Sequence, residues 1–165
     1  MKKYEFTGET KEIKLLFRTA VLHRIRATVS FGFVKIGDLG GWIEKEENLS
    51  HEGKAWVWGN AEVCGDAEVC GDAKVCGDAE VFSASHVLVI GAIGSRNDFT
   101  TFYRDKDNEI TVKCGCFLGK IDRFLEKVTQ THGDSKYALV YRAAVEVAKL
   151  QIDLSGEAPK DADEE

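Results

Sequence analysis

Ala61-Glu-Val-Cys-Gly-Asp66, Ala67-Glu-Val-Cys-Gly-Asp72 and Ala73-Lys-Val-Cys-Gly-Asp78 follow one another without a gap. The frame extends back to Ala55-Trp-Val-Trp-Gly-Asn60. It extends forward to Ala79-Glu-Val-Phe-Ser-Ala84 and Ser85-His-Val-Leu-Val-Ile90. A strict short period marks a repeat architecture. Because six is even, every hexad keeps the same inside–outside phase along a strand. Ala and Val point one way. Glu or Lys, with the fourth residue (Cys, Trp or Phe), point the other. The Gly-Asp pair turns the chain, because Gly tolerates positive φ and Asp favours turns.

The spacing resembles the hexapeptide repeat of left-handed parallel β-helices, in which about three hexads make one coil. The expected fold class is mainly β: a left-handed parallel β-helix with an extended N-terminal cap and a C-terminal α+β cap containing two helices. Val63, Val69, Val75 and Val81 should be buried, with Glu62, Glu68 and Glu80 exposed. Residues three hexads apart should stack, placing Trp58 on Cys76, Cys64 on Phe82 and Cys70 on Leu88. Apolar columns of this kind are seldom left in water. The flanks or a second subunit should cover them, so a homo-oligomer is expected, with a trimer favoured by likeness to other hexapeptide-repeat proteins.

The boundaries follow from the hexads. Residues 1–42 form the β cap. Residues 43–99 form the solenoid, with Ile43 and Leu49 in register before it and Gly91–Ile93 and Asn97–Phe99 after it. Residues 100–152 form the α+β cap, and 153–165 an acidic tail that reads as disordered. In the cap, Thr100–Arg104 and Glu109–Phe117 read as a strand pair around Asp105–Asn108. Ile121, Phe124, Leu125 and Val128 recur at helical spacing. A second helix runs from about Lys136 to Leu150, with Asp134 or Ser135 as N-cap. Its apolar face includes Tyr137, Val140, Tyr141, Ala144 and Val147.

Charge and cysteine usage narrow the function classes. The 165-residue chain has a formal net charge of −6, much of it in the tail, so the body is nearly neutral. There is no basic footprint for nucleic acid, and an acidic DNA mimic is weakened. No apolar run is long enough for a membrane span, and no signal peptide is visible. The expected location is the cytoplasm, with no membrane partner. Cys64, Cys70 and Cys76 hold one repeat position rather than a disulfide or zinc spacing. Cys114-Gly-Cys116 with His132 is a weaker metal candidate than two small buried residues, and a redox role stays open. No cofactor is implied.

Several segments carry a family likeness. Leu22-His-Arg-Ile-Arg, Gly37-Asp-Leu-Gly-Gly-Trp-Ile-Glu, the hexads, Ile93-Gly-Ser-Arg-Asn-Asp and Lys113-Cys-Gly-Cys-Phe resemble a group of small phage and prophage proteins across about residues 1–150. The resemblance implies origin and fold, with the host cytoplasm as location. It brings no catalytic residue.

The densest polar group is Ser95, Arg96, Asn97 and Asp98 with Thr100, Thr101 and Arg104. Arg96 offers a planar fork for phosphate or carboxylate, and Ser95 adds a donor in an anion nest. The bland alternative is a polar turn with Arg96 paired to a carboxylate. The expected function is non-enzymatic binding of a small anionic, nucleotide-like ligand or a host protein, in the manner of phage counter-defence. The enzymatic alternative is a hexapeptide-repeat acyltransferase with His86 as base, although one histidine without a placed partner is weak support.

Overall fold

The computed structural model describes residues 2–155 and the backbone of residues 160–161. Strands β1 (Tyr4–Lys14) and β2 (Thr19–Ala27) form a long antiparallel hairpin, and β3 (Leu39–Ile43) pairs antiparallel with β2. The hexads supply β4 (Trp56–Val57), β5 (Glu62–Val63), β6 (Lys74–Val75) and β7 (Glu80–Val81), each two residues long. Then come β8 (Val87–Ile93), β9 (Asp98–Arg104), β10 (Ile110–Cys114) and β11 (Phe117–Lys120). Helices α1 (Ile121–His132) and α2 (Lys136–Gln151) follow. A last short strand, β12 (Lys160–Asp161), lies against Ile13 and Lys14 of β1. Of the acidic tail expected to be disordered, 153–155 are described, with the Asp153 amide donating to the Ser85 carbonyl at 3.0 Å, and 156–159 and 162–165 lie outside the described residues.

These elements make three sheets: a mixed one ordered β12-β1-β2-β3-β5-β7, an antiparallel one ordered β11-β10-β9-β8, and the two-stranded β4-β6. The expectation of a left-handed parallel β-helix is therefore corrected. Among the described residues parallel pairing is confined to β3–β5, β5–β7, β4–β6 and one bridge, Leu49 to Val69. The long strands are antiparallel. Few hexads cannot bury enough by themselves, and the hairpin β1–β2 completes their largest sheet.

The chain leaves the repeat at Ser83. The Ser83 hydroxyl accepts from the Ser85 amide and caps a short 3-10 turn, Ala84–His86. Val87–Ile90 then pair antiparallel with Thr100–Tyr103. The hexad frame at Ser85–Ile90, and its continuation to Phe99, are thus a hairpin and not a further coil. Two expected columns keep their offset, since Trp56 pairs with Lys74 and Glu62 with Glu80. The third has no such pairing among the described residues, and Leu88 pairs with Phe102 across the β8–β9 hairpin.

The inside–outside phase holds for the valines: Val63, Val69, Val75 and Val81 are fully buried with the hexad alanines. Gly65 shows why the corner needs glycine. Its φ is +66°, and a Cβ there would stand 2.5 Å from the Phe82 carbonyl oxygen. Glu68 is exposed and Glu80 half-buried, but Glu62 is buried, contrary to expectation. The β1–β2 hairpin covers it, and its carboxylate pairs with Lys11 Nζ at 2.5 Å. The same hairpin covers Cys64, which packs with Ile13, Ala20 and Leu22.

Strand β9 divides the interior. Tyr103 belongs to the hexad-side core with Val57, Val75 and Trp56, and Phe102 to a second core with Phe124, Tyr141 and Val145 under the helices. On α2 the buried residues are Ala138, Tyr141, Ala144, Val145 and Ala148, while Tyr137 and Val147 are about half exposed. The expected apolar face is rotated accordingly: 138, 141, 145 and 148 follow the spacing that meets β8 and α1. Ser135 is the N-cap residue, although its side chain makes no capping hydrogen bond.

Candidate functional site

Three segments converge at one end of the helix-covered sheet. The first is the β8–β9 turn, where the Asn97 amide donates to the Gly94 carbonyl at 3.2 Å. Gly94 has φ +79°, and a Cβ there would overlap the Tyr141 hydroxyl, so only glycine lets the turn lie on α2. The second is the two-residue β10–β11 turn, Gly115–Cys116, closed by the Cys114–Phe117 pair. Arg96 reaches across to it: a Cβ on Gly115 would stand 3.0 Å from Arg96 Nη1. The third is α1, whose Phe124, Lys127, Val128, Thr131 and His132 recur on one helix face.

Between them lies a cleft of about 170 Å³. Its floor is a row of rings. Phe117 and Phe124 have centroids 5.4 Å apart, Phe124 and Tyr141 meet edge-on at 5.7 Å, and His132 stacks on Tyr141 at 5.7 Å. Such spacings are those of favourable aromatic pairs. Ser95 and Cys114 hydrogen-bond the Tyr141 hydroxyl. Burial first, then the adjacent Cys114 thiol, pushes the Tyr141 pKa above its ordinary value.

The mouth carries charge. Arg96 and Lys127 line it, and neither makes an ion pair or a side-chain hydrogen bond among the described residues. Asp98 is the carboxylate at the rim, and its Oδ1 accepts from the Phe99 amide at 2.7 Å. The alternative of an internally paired Arg96 is thus not what the structure shows.

The polar group chosen from sequence divides. Ser95, Arg96 and Asp98 line the cleft, while Asn97 sits exposed at the turn's left-handed corner, φ +50°. Thr100 lies beneath the cleft, fully buried, and its hydroxyl donates to Cys114 Sγ at 3.4 Å. Thr101 faces the hexads, where its hydroxyl accepts from the Lys74 amide at 3.0 Å. Arg104 is buried at the far end of β9. Its Nε donates to the Glu80 carbonyl at 3.0 Å and its guanidinium lies over the Phe82 ring. The last two are structural, because alternation along a strand sends neighbours to opposite faces and seven residues of strand cannot converge on one point.

Lys127, Phe124, Phe117 and Tyr141 were not read from sequence as site residues. The one hint was the grouping of Cys114, Cys116 and His132, which do line this cleft. No three His, Cys, Asp or Glu side chains come close enough to hold a metal ion among the described residues.

His86 lies elsewhere. Its Nδ1 accepts from the Phe82 amide at 3.0 Å, and burial, with Arg104 nearby, lowers its pKa to about 4. It fastens the corner where the chain leaves the hexads. No helix among the described residues is long and apolar enough to cross a membrane. No protein-family model matches this chain, and none of the curated proteins searched matches it. The likeness to small phage proteins therefore rests on the motifs themselves.

Proposed function

We propose that this chain is a non-enzymatic binding protein that holds a small anionic ligand in the cleft between the β8–β9 turn, the β10–β11 turn and α1. The observation that carries this reading is the convergence, over an aromatic floor, of two cations that have no ion-pair partner among the described residues, Arg96 and Lys127. Arg96 supplies a planar fork that meets two oxygens at once, and Lys127 supplies a point charge on a flexible stem. The Ser95 hydroxyl is a further polar group at the rim. The motif likeness to phage proteins supports capture of a host molecule as the biological use. The columns that led to a trimer are covered in part by the chain's own hairpin, so this reading needs no second subunit.

The test is retention. The protein is incubated with a bacterial metabolite extract and filtered, and the retained anions are identified by mass spectrometry. Arg96→Ala should weaken the retained anion about 10- to 100-fold, from about 1.5–3 kcal/mol for a hydrogen bond to a charged group. Arg96→Lys should recover part of that loss. The melting temperature should not move in either variant. An extract that yields no anion, or an Arg96→Ala variant with unchanged affinity, would sink the proposal.

A further inference from the structure

Resting on that reading, we infer that the ligand is a small aromatic monocarboxylate, its ring on the floor of the cleft and its carboxylate between Arg96 and Lys127. Size is the first argument. At about 170 Å³ the cleft has more room than a bare anionic group fills, since a cavity holding one water needs about 10–15 Å³ on the same measure. It is nevertheless smaller than the roughly 300–1,000 Å³ of pockets that enclose drug-sized ligands. A single ring with a short acidic arm fits those bounds. A whole nucleotide would leave most of itself outside.

Chemistry of the walls is the second argument. Below the rim the lining turns apolar, with Phe117, Phe124 and Val128. An inorganic anion lowered among these groups would lose hydration and gain no donors there. A ring gains edge-on or offset contacts instead. Phe117, Phe124 and Tyr141 already pack tilted and edge-on against one another at the floor, the arrangement that an added ring would extend.

Charge is the third argument. Arg96 and Lys127 bring two permanent positive charges and Asp98 one negative charge, leaving a single positive charge. A monoanion neutralises it. A dianion would hold an excess negative charge close to the Asp98 carboxylate, which repels it. The planar carboxylate also matches the guanidinium fork oxygen for nitrogen.

Calorimetry on the full chain at fixed ionic strength tests this with benzoate, acetate, phenyl phosphate and inorganic phosphate. Benzoate should bind at least tenfold more tightly than each of the other three. Lys127→Ala, at an exposed helical position, should weaken benzoate and acetate alike. Phe117→Leu should weaken benzoate several-fold and leave acetate unchanged. Circular dichroism of both variants checks the fold. Phenyl phosphate binding as tightly as benzoate would overturn the monoanion assignment. Acetate or inorganic phosphate matching benzoate would overturn the ring. Failure of all four probes, with an extract anion still retained through Arg96, would overturn this inference and leave the wider anion reading standing. Failure of both would remove the two together.

Discussion

In the hexad stack Arg104 is buried, donates to the Glu80 carbonyl and lies over Phe82. In the helix-covered sheet Arg96, on the same β8–β9 hairpin, stands at a cleft mouth without an ion-pair partner among the described residues. The difference follows from how each region is built. Although Trp56 Nε1 and Arg104 Nη2 are buried in the hexad stack without a hydrogen-bond partner among the described residues, the short parallel ladders of the hexads offer backbone groups to what packs on them, as the Lys74 amide does to Thr101. Asn48 shows the same habit, its side-chain amide donating to the Gly65 and Ala67 carbonyls. The helical layer brings together turns and a helix face that are distant in sequence. Two of its rim groups, Arg96 and Lys127, have no ion-pair partner among the described residues, while Asp98 accepts from the Phe99 amide. Packing on the repeat buries Arg104, and the irregular junction leaves Arg96 and Lys127 exposed.

The sharpest way to break the comparison is to charge the repeat. Val63 is fully buried between Ile43 and Val81 in the parallel ladder. Val63→Asp puts a carboxylate where neither water nor a cation reaches it, and such burial is not tolerated. The variant should show no cooperative thermal transition, and a normal melt would mean that the valine row is not a true interior.

A junction change should do less to the fold and more to the site. Gly94→Ala adds a methyl that overlaps the Tyr141 hydroxyl at a backbone φ of +79°. Overpacking of this kind costs about 1–3 kcal/mol. Benzoate binding should fall with it, because the turn carries Ser95 and Arg96. Adding Tyr141→Ala to the same chain should cost less than the two changes summed, since the clash disappears. Strict additivity in urea denaturation would show that the turn does not rest on Tyr141.

The smallest effect is a pH slope at the boundary between the regions. His86 has its folded pKa lowered to about 4, mainly by burial, against about 6.5 when unfolded. The folded state resists the proton that the unfolded state accepts. His86's contribution is therefore whole above about pH 6.5, declines as pH falls, and levels off below about pH 4. His86→Asn keeps an acceptor within reach of the Phe82 amide and removes the titration. The urea midpoint should drop less between pH 7 and pH 4.5 in the variant than in the parent. Equal drops would show that His86 protonates freely in the fold.

Much of the local structure was legible and the global arrangement was not. The valine phase, the β9–β10 pair and both helices follow from period and turn chemistry. The fold class failed at Ser85-His-Val-Leu-Val-Ile90, which has apolar spacing like a hexad but lacks the Gly-Asp corner. Without that corner the chain runs straight into an antiparallel hairpin. Glu62 was misplaced because a repeat cannot announce which of its faces a distant hairpin will cover. Half of the candidate site was visible as a dense polar turn around Arg96. Lys127 could not be, since alone it reads as one more solvent-facing helical lysine. Its significance comes from the turns packed opposite.

Strand β9 has a consequence for how the molecule comes apart. Phe102 and Tyr103 are adjacent, and each is buried in a different core. Neither core can lose its packing without withdrawing a wall from the other. Unfolding should consequently register as one cooperative event by both ring fluorescence and helix dichroism. Backbone amides of β9, flanked on both edges by β8 and β10, should then be among the last to exchange with deuterated water.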